Sequence, residues 1–383
     1  GLTCGFYLTK MGAEITMFES EDYIGGHTHT VATDFEGEQA AIDTGFIVFN
    51  DRTYPNFIKL MEEIGVDYQP TEMSFSVRND TLDLEYNGSS LNGLFAQRTN
   101  LLRPQFYRML LDITRFNRQV RTITEADGET TIGEYLQRSN YSPLFKDNYL
   151  LPMIAAIWSM GTEDCLDFPL HFFVRLFKNH GLLDLTNRPQ WYTIKGGSSS
   201  YIKPLTAGFK QHIRLNSKVS GVARTETGVV VRAGNENHQF DEVVFACHGD
   251  QALSLLEQPH EDEKRVLAQF QFSDNRVILH TDVTHLPRRK GAWASWNYLI
   301  TERGSAESTL TYNMNILQQL QKKHTYLVTL NQDIDPHKTI AEFRYSHPVY
   351  NVAMVEAQNE WQKISGIDRT HFCGAYWRNG FHE

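Results

Sequence analysis

Apolar and polar positions near the start of the chain follow first one period and then another. Leu2, Phe6 and Leu8 recur at roughly helical spacing, Gly12 marks a stop, and residues 15–18 run as a short strand ending on an acid, Glu19. A helix feeding directly into such a strand is half of a βαβ unit. In dinucleotide-binding units a glycine turn precedes the helix, and an acid about twenty residues on takes the ribose hydroxyls. The gap from Gly1 to Glu19 fits that spacing if Gly1 is the last glycine of the turn. Taken alone, a solvated strand-end glutamate explains Glu19 equally well.

Six residues beyond the acid come Gly25 and Gly26, followed by His27, Thr28, His29 and Thr30. Paired glycines permit backbone conformations and a close approach that a Cβ would forbid. Their amides and the threonine hydroxyls could line a phosphate-binding concavity. A simple turn is the alternative.

From about residue 95 to 185 the period is helical, most clearly in "FYRMLLDITRFNRQV" (106–120) and "TTIGEYLQRS" (130–139). "KGGSSSYIKPL" (195–205) restarts a glycine turn leading into a helix, and residues 213–233 and 239–249 are β-rich. "FDEVVFACHG" (240–249) has the form of a buried strand ending in a small-residue turn, the kind that lines a cofactor cleft. From about 261 to 361 the chain continues through "NRVILHTDVTHLPRR" and "WASWNYLI" as a return to a second, substrate-binding part, and no repeat or low-complexity tract appears.

Composition narrows the class. The 383 residues suffice for two domains, and 41% hydrophobic with 21% charged residues describes a folded chain. A net charge of −10 argues against a nucleic-acid partner, since phosphate binding needs a positive surface. Cys4, Cys165, Cys247 and Cys373 lie far apart with no CxxC pair, which points to a reducing, cytoplasmic setting and away from a zinc site. The longest strongly apolar run, "LLPMIAAIWSM" (150–160), is too short to span a bilayer. The chain opens on Gly1 rather than methionine, so its N-terminus is expected to be truncated.

The segment E-x-x-D-x-x-G-G from Glu19 to Gly26 resembles the FAD-binding start of the flavin amine oxidase superfamily, which also holds protoporphyrinogen oxidases and phytoene-type desaturases. "GGHTHT", "DTGFIVFN" (43–50), "WYTIKGGSSSYI" (191–202), "AWASWNY" (292–298) and "GAYWRNGFHE" (374–383) are similar to a bacterial branch of NAD/FAD-binding proteins linked with cyclopropane fatty acid synthases. The resemblance runs along the whole chain. It implies an α/β fold of the amine oxidase/p-hydroxybenzoate hydroxylase type: a Rossmann-like FAD-binding domain (1–75, 190–260, 362–383) interleaved with an α+β substrate domain (76–189, 261–361). Gly1 would then face the pyrophosphate, Glu19 the adenosine ribose, and Gly25, Gly26 and Thr28 the pyrophosphate or flavin. Gly45 and Phe46 would lie near the flavin ring, Val219 would pack on adenine, and Gly374, Phe381, His382 and Glu383 would close the site. His27 stands where amine oxidases usually carry arginine. A histidine is mostly neutral at pH 7, so amides and a helix N-terminus must meet the cofactor's phosphate charge.

The chemistry implied is FAD-dependent hydride transfer between substrate and flavin N5, acting on amines or lipid acyl chains. A flavin-binding partner of a lipid-modifying enzyme, without turnover, is the other reading. No catalytic residue stands out: His27, His29, His248 and His382 are candidates for proton transfer, but none has a partner at diagnostic spacing. Tyr376 and Trp377 fall where the family places aromatics beside the flavin. Lys195 has the setting of a surface lysine. Arg288, Arg289 and Lys290, beside Trp293 and Trp296, could hold an anionic head group or touch a membrane surface. The acyl-chain link further predicts an apolar tunnel around residues 106–116 and 155–160, with a cyclopropane fatty acid synthase as partner.

Overall fold

The computed structural model describes residues 1–124, 130–158, 164–184, 188–301, 310–378 and 382–383. Its largest sheet has seven strands in the order Thr339–Pro348, Phe272–His280, Leu327–Leu330, Leu310–Asn313, Trp296–Ile300, Phe75–Asn79, Leu84–Asn87. Neighbours are antiparallel except Trp296–Ile300 against Phe75–Asn79. A hairpin from the first quarter of the chain is thereby stitched to strands some 220 residues later. On Thr339–Pro348, Phe343, Tyr345 and His347 alternate and so share one face.

The opposite part of the molecule is built from short strands. Met17–Phe18 pairs in parallel with Ile213–Arg214, and Val243–Phe245 pairs in parallel with Thr370–Phe372. The sequence places the first of these at residues 15–18; the ladder takes in only its last two. The helix Leu2–Lys10 stops where expected, with Gly12 at φ +88°. Gly5 lets it lie close to its neighbours, since a Cβ there would come within 3.1–3.3 Å of Ile15, Phe209 and Met17. Mixed α/β architecture is therefore what the chain adopts.

A helical region packs against the large sheet. Pro104–Gln119 directs Phe106, Met109 and Phe116 inward, each at most 1% exposed. Thr131 and Glu134 close a reciprocal cap on Ile132–Arg138, which explains the helical start read at "TTIGE". Phe106 meets Tyr86 at 5.7 Å, Phe116 meets Phe145 at 5.5 Å, and Phe173 meets Phe177 at 4.0 Å. Each buried ring contributes roughly 1.5–3 kcal/mol. Phe106 and Phe116 thus belong to a packed aromatic core and not to the wall of a tunnel; Ser159 and Met160 lie outside the described residues. Among the described residues, no helix is long and apolar enough to cross a membrane.

The basic run 288–290 also differs from expectation. Glu85 is 1% exposed, and its carboxylate accepts from the Arg288 amide at 2.9 Å, the Arg289 amide at 3.2 Å and the Arg289 guanidinium at 3.1 Å. The Arg288 guanidinium reaches Asp80 at 2.7 Å and Asp83 at 3.4 Å, while the Lys290 ammonium sits 5.7 Å from the Trp293 ring centre. These arginines fasten a loop to the sheet and present no free pair of charges. Removing the carboxylate strands two amides and a cation, so Glu85→Ala should cost about 3 kcal/mol. Glu85→Gln should cost less, because the amide oxygen still accepts. Denaturant midpoints of the two variants check this.

Candidate functional site

The glycine turn forms the floor of the site. Gly25 adopts φ +142°, and a Cβ there would lie 2.4 Å from the Thr28 carbonyl oxygen and 2.8 Å from Ile202. The turn itself therefore requires that glycine. Gly26 differs: it has φ +58°, yet a Cβ would meet no protein atom within 4 Å. Its face is open, as a backbone that receives a ligand must be.

Gly45 and Phe46 run directly against this turn. The Phe46 amide donates to the His27 carbonyl at 2.7 Å, and a Cβ on Gly45 would fall 2.1 Å from that same oxygen. Behind it the Thr28 hydroxyl meets the Tyr201 hydroxyl at 2.5 Å, and Tyr201 meets His382 Nε2 at 2.7 Å. The His382 ring stacks on Phe46 at 3.9 Å. Six residues named from the sequence, Gly25, Gly26, His27, Thr28, Gly45 and Phe46, thus meet in one place, and His382 joins them from the far end of the chain.

Other expected positions sit around this centre with varied roles. Glu19 lies beyond its strand, half-buried, with its carboxylate accepting from the Glu21 amide at 3.1 Å. Gly1 caps the first helix by backbone alone, and a Cβ on it would lie 3.1 Å from Ala246. Gly374 is required by Tyr376, whose ring would be 2.5 Å from an added Cβ. Val219 opens the strand Val219–Arg224. The Glu383 carboxylate is occupied, accepting from the Asn56 and Phe57 amides at 2.9 and 3.0 Å at the start of the helix Pro55–Glu63. Phe381 lies outside the described residues. Lys195 is a surface residue, 3.9 Å from Asp67.

Histidines converge where the turn meets the large sheet. The His27 ring stacks near His347 at 5.6 Å and His248 at 6.4 Å, and faces the edge of Tyr345 at 5.3 Å. His248 lies flat on Phe272 at 3.9 Å. The Asn275 Nδ2 amide lies 3.1 Å from His347 Nδ1, while Asn275 Oδ1 accepts from Asn331 at 2.8 Å. His347 must accept at Nδ1, so its proton resides on Nε2. His29, two residues on, bonds the Tyr345 hydroxyl at 2.8 Å and stacks on Tyr23 at 4.3 Å. Thr44 reaches the same hydroxyl at 2.8 Å.

Burial holds these rings uncharged. It lowers His27 to about 4, with His248 adding repulsion, and lowers His347 and His382 to about 3. His29 and His248 are lowered for the same reason. His27 Nε2 is shielded from water and has no hydrogen-bond partner among the described residues. A shielded polar atom without a partner costs roughly 1–3 kcal/mol, which a bound ligand can recover. Sequence reasoning named His27, His29 and His248 but missed Tyr345 and His347. The signal was there in "FRYSH", whose alternate residues must share a strand face.

An open glycine face, a helix N-terminus capped only by backbone and an unpaired imidazole nitrogen suit a large phosphate-bearing cofactor held by amides. The model of flavin-containing amine oxidoreductases matches residues 1–315. The chain belongs to that family. It is an FAD-dependent oxidoreductase. Among solved structures, the family member is similar to cyclohexylamine oxidase from Brevibacterium oxydans at a TM-score of 0.68 and 12% identity, over 99% of this chain and 92% of that one. Putrescine oxidase bound to putrescine matches at 0.65 and 13% identity, over 99% and 93%. A CLA-producing fatty acid isomerase from P. acnes matches at 0.65 and 13% identity, over 100% and 92%. At these identities the likeness is one of fold. No curated protein sequence matches the chain.

Asp43 braces the flavoprotein's turn from behind. Fully buried, its Oδ1 accepts from the Thr30 hydroxyl at 2.6 Å, the Ser198 amide at 2.8 Å and the Ser198 hydroxyl at 2.9 Å, while Oδ2 has no partner among the described residues. Burial pushes this carboxyl up to about 6 despite those three donors. The folded state then holds a proton that the unfolded chain releases near 3.8. The associated stability is complete below that value and is lost as pH rises through about 6. Asp43→Asn cannot titrate, and its extra N–H adds only a constant cost. The stability of the wild type relative to this variant should therefore fall by up to about 3 kcal/mol from roughly pH 4 to 8. Denaturant titrations of both proteins across that range measure it, and a flat difference would contradict the assignment.

Proposed function

We propose that the enzyme oxidises an amine in the space bounded by the glycine turn, Phe46 and the imidazole stack. FAD would lie along the cleft with its adenosine at Glu19 and Val219, its pyrophosphate over Gly1, Gly25, Gly26, His27 and Thr28, and its ring near Gly45 and Phe46. Gly374, Phe381, His382 and Glu383 would close the ring end. The FAD-binding part would comprise 1–75, 190–260 and 362–383, and the substrate part 76–189 and 261–361. Four free cysteines support a cytoplasmic setting.

The neutral imidazole stack carries this reading. When bound, FAD supplies the acceptor for a hydride from the carbon beside the nitrogen. His27, His347 and His248 supply polarity without charge near pH 7, and Phe46, Tyr345 and Phe272 exclude water around them. Such surroundings favour the free base of an amine over its ammonium form. A base lowered to about 4 takes almost no proton from an ammonium group, so deprotonation precedes entry. The similarity in fold to a fatty acid isomerase supports a second reading, in which an acyl chain reacts and a cyclopropane fatty acid synthase is the partner. Anaerobic mixing with amines and with fatty acids, followed at the flavin absorbance, decides between them: bleaching by amines alone supports the first, by acyl chains alone the second.

Two predictions follow from this arrangement. With an amine substrate, kcat/KM should rise about tenfold per pH unit up to the amine's own pKa, with no inflection between about pH 6 and 7. An inflection there would mean that an ordinary histidine controls the step. Glu19→Ala should weaken FAD binding by roughly ten- to a hundredfold, since hydrogen bonds to a charged group are worth about 1.5–3 kcal/mol. Gly26→Val should weaken it further by filling the open face. Fluorescence titration of apoprotein with FAD reads both, and unchanged affinity in either variant would remove that residue from the site.

A further inference from the structure

Of the twelve large apolar side chains that stand exposed among the described residues, six fall between residues 82 and 111: Leu82, Leu91, Leu101, Leu102, Tyr107 and Leu111. Leu102 is 85% exposed, Leu91 77% and Leu111 68%. Scattered single leucines on a surface are ordinary, but a contiguous group is not. Here the segments that carry them adjoin one another. The Tyr107 hydroxyl donates to the Leu101 carbonyl at 3.1 Å, tying the helix Pro104–Gln119 to the turn before it. Its ring lies 6.0 Å from Phe95, at the end of the helix Leu91–Leu94. The Arg103 guanidinium donates to the Asp83 carbonyl at 2.9 Å, which brings the turn carrying Leu82 alongside.

Charge sets the patch apart as well. Residues 89–122 contain six arginines and one acid, Asp112, a net +5 in a chain of net −10; from outside the segment, Asp83 pairs with Arg103 and Asp184 with Arg121. Asp112 is turned inward and 3% exposed, accepting from the Ser142 amide at 2.9 Å. Arg98 and Arg118 are exposed and form no ion pair among the described residues. The helix Pro104–Gln119 is thus apolar on both sides. Phe106, Met109 and Phe116 face the core, while Tyr107 and Leu111 face outward between Arg108 and Arg118.

We propose that this face docks the enzyme reversibly on an anionic lipid surface, with the leucines entering the acyl boundary and the arginines lying at phosphate depth. Charge complementarity selects that occupant: a locally basic, apolar face is drawn to a negative membrane and repelled from the same face of a second copy. No spanning helix is needed. The proposal does not depend on which substrate is oxidised.

Flotation of the FAD-loaded full chain with vesicles tests it. Phosphatidylcholine vesicles and vesicles containing about one quarter phosphatidylglycerol are compared at low and high salt. The expected result is at least tenfold stronger binding to the anionic vesicles at low salt, fading at high salt. Leu102→Glu with Leu111→Glu should abolish flotation, with flavin content unchanged. Arg98→Gln with Arg118→Gln, which leaves all packed residues in place, should weaken it roughly tenfold at low salt only. Wild-type protein that fails to float, or a double leucine variant that floats normally, overturns the proposal. So does a dimer, seen by light scattering, that the leucine variant breaks in the absence of any lipid binding; the face would then join two copies of the chain.

Discussion

One backbone contact organises the site: the Phe46 amide on the His27 carbonyl, at a distance that leaves no room for a Cβ on Gly45. Through it the segment after the hairpin strand Glu38–Asp43 is laid against the glycine turn, and three elements far apart in sequence come into register. Thr28 can then meet Tyr201, Tyr201 can meet His382, and His382 can lie on Phe46. A side chain at position 45 would separate the two segments and undo each of these contacts together. The same contact holds His27 beneath Tyr345 and His347 on the edge strand of the large sheet.

Electrostatics at this junction depend on burial more than on charge pairs. The histidines are held neutral because water is excluded around them, and Asp43 keeps a raised carboxyl although three donors point at it. Both effects favour uncharged forms, so the turn meets its ligand with amides, hydroxyls and neutral rings. This is the physical consequence of histidine in place of the arginine that the family usually carries after its glycine pair. In the proposed FAD pose, phosphate charge would be left to backbone dipoles, which cost no desolvation of a cation.

Cations are used elsewhere, and the structure separates two kinds that look alike in sequence. Arg288 and Arg289 are committed to Asp80, Asp83 and Glu85, where they fasten a loop to the sheet. Arg98 and Arg118 flank exposed leucines and have no such commitment among the described residues. A run of three basic residues beside tryptophans is the more conspicuous pattern, yet acids distant in sequence neutralise it. Arg108, Arg115 and Arg118 make no run, and only the helix Pro104–Gln119 brings them to one side.

Local features were legible without the fold. The first helix and its glycine stop, the glycine turn, the helical region and the family motifs each depend on side-chain size, backbone freedom or periodicity within a few residues. Tertiary structure alone decided which of those features meet. His347 lies 320 residues from His27, and no spacing rule links them; they meet because the strand Thr339–Pro348 pairs with Phe272–His280 and carries its alternate residues to the turn. Phe106 and Phe116 offered an apolar helix face, which suits a tunnel or a core equally, and the neighbouring rings that fill the space made it a core. Charge followed the same division: residue type sets what can ionise, whereas burial and partners, which exist only in the folded chain, set whether it does.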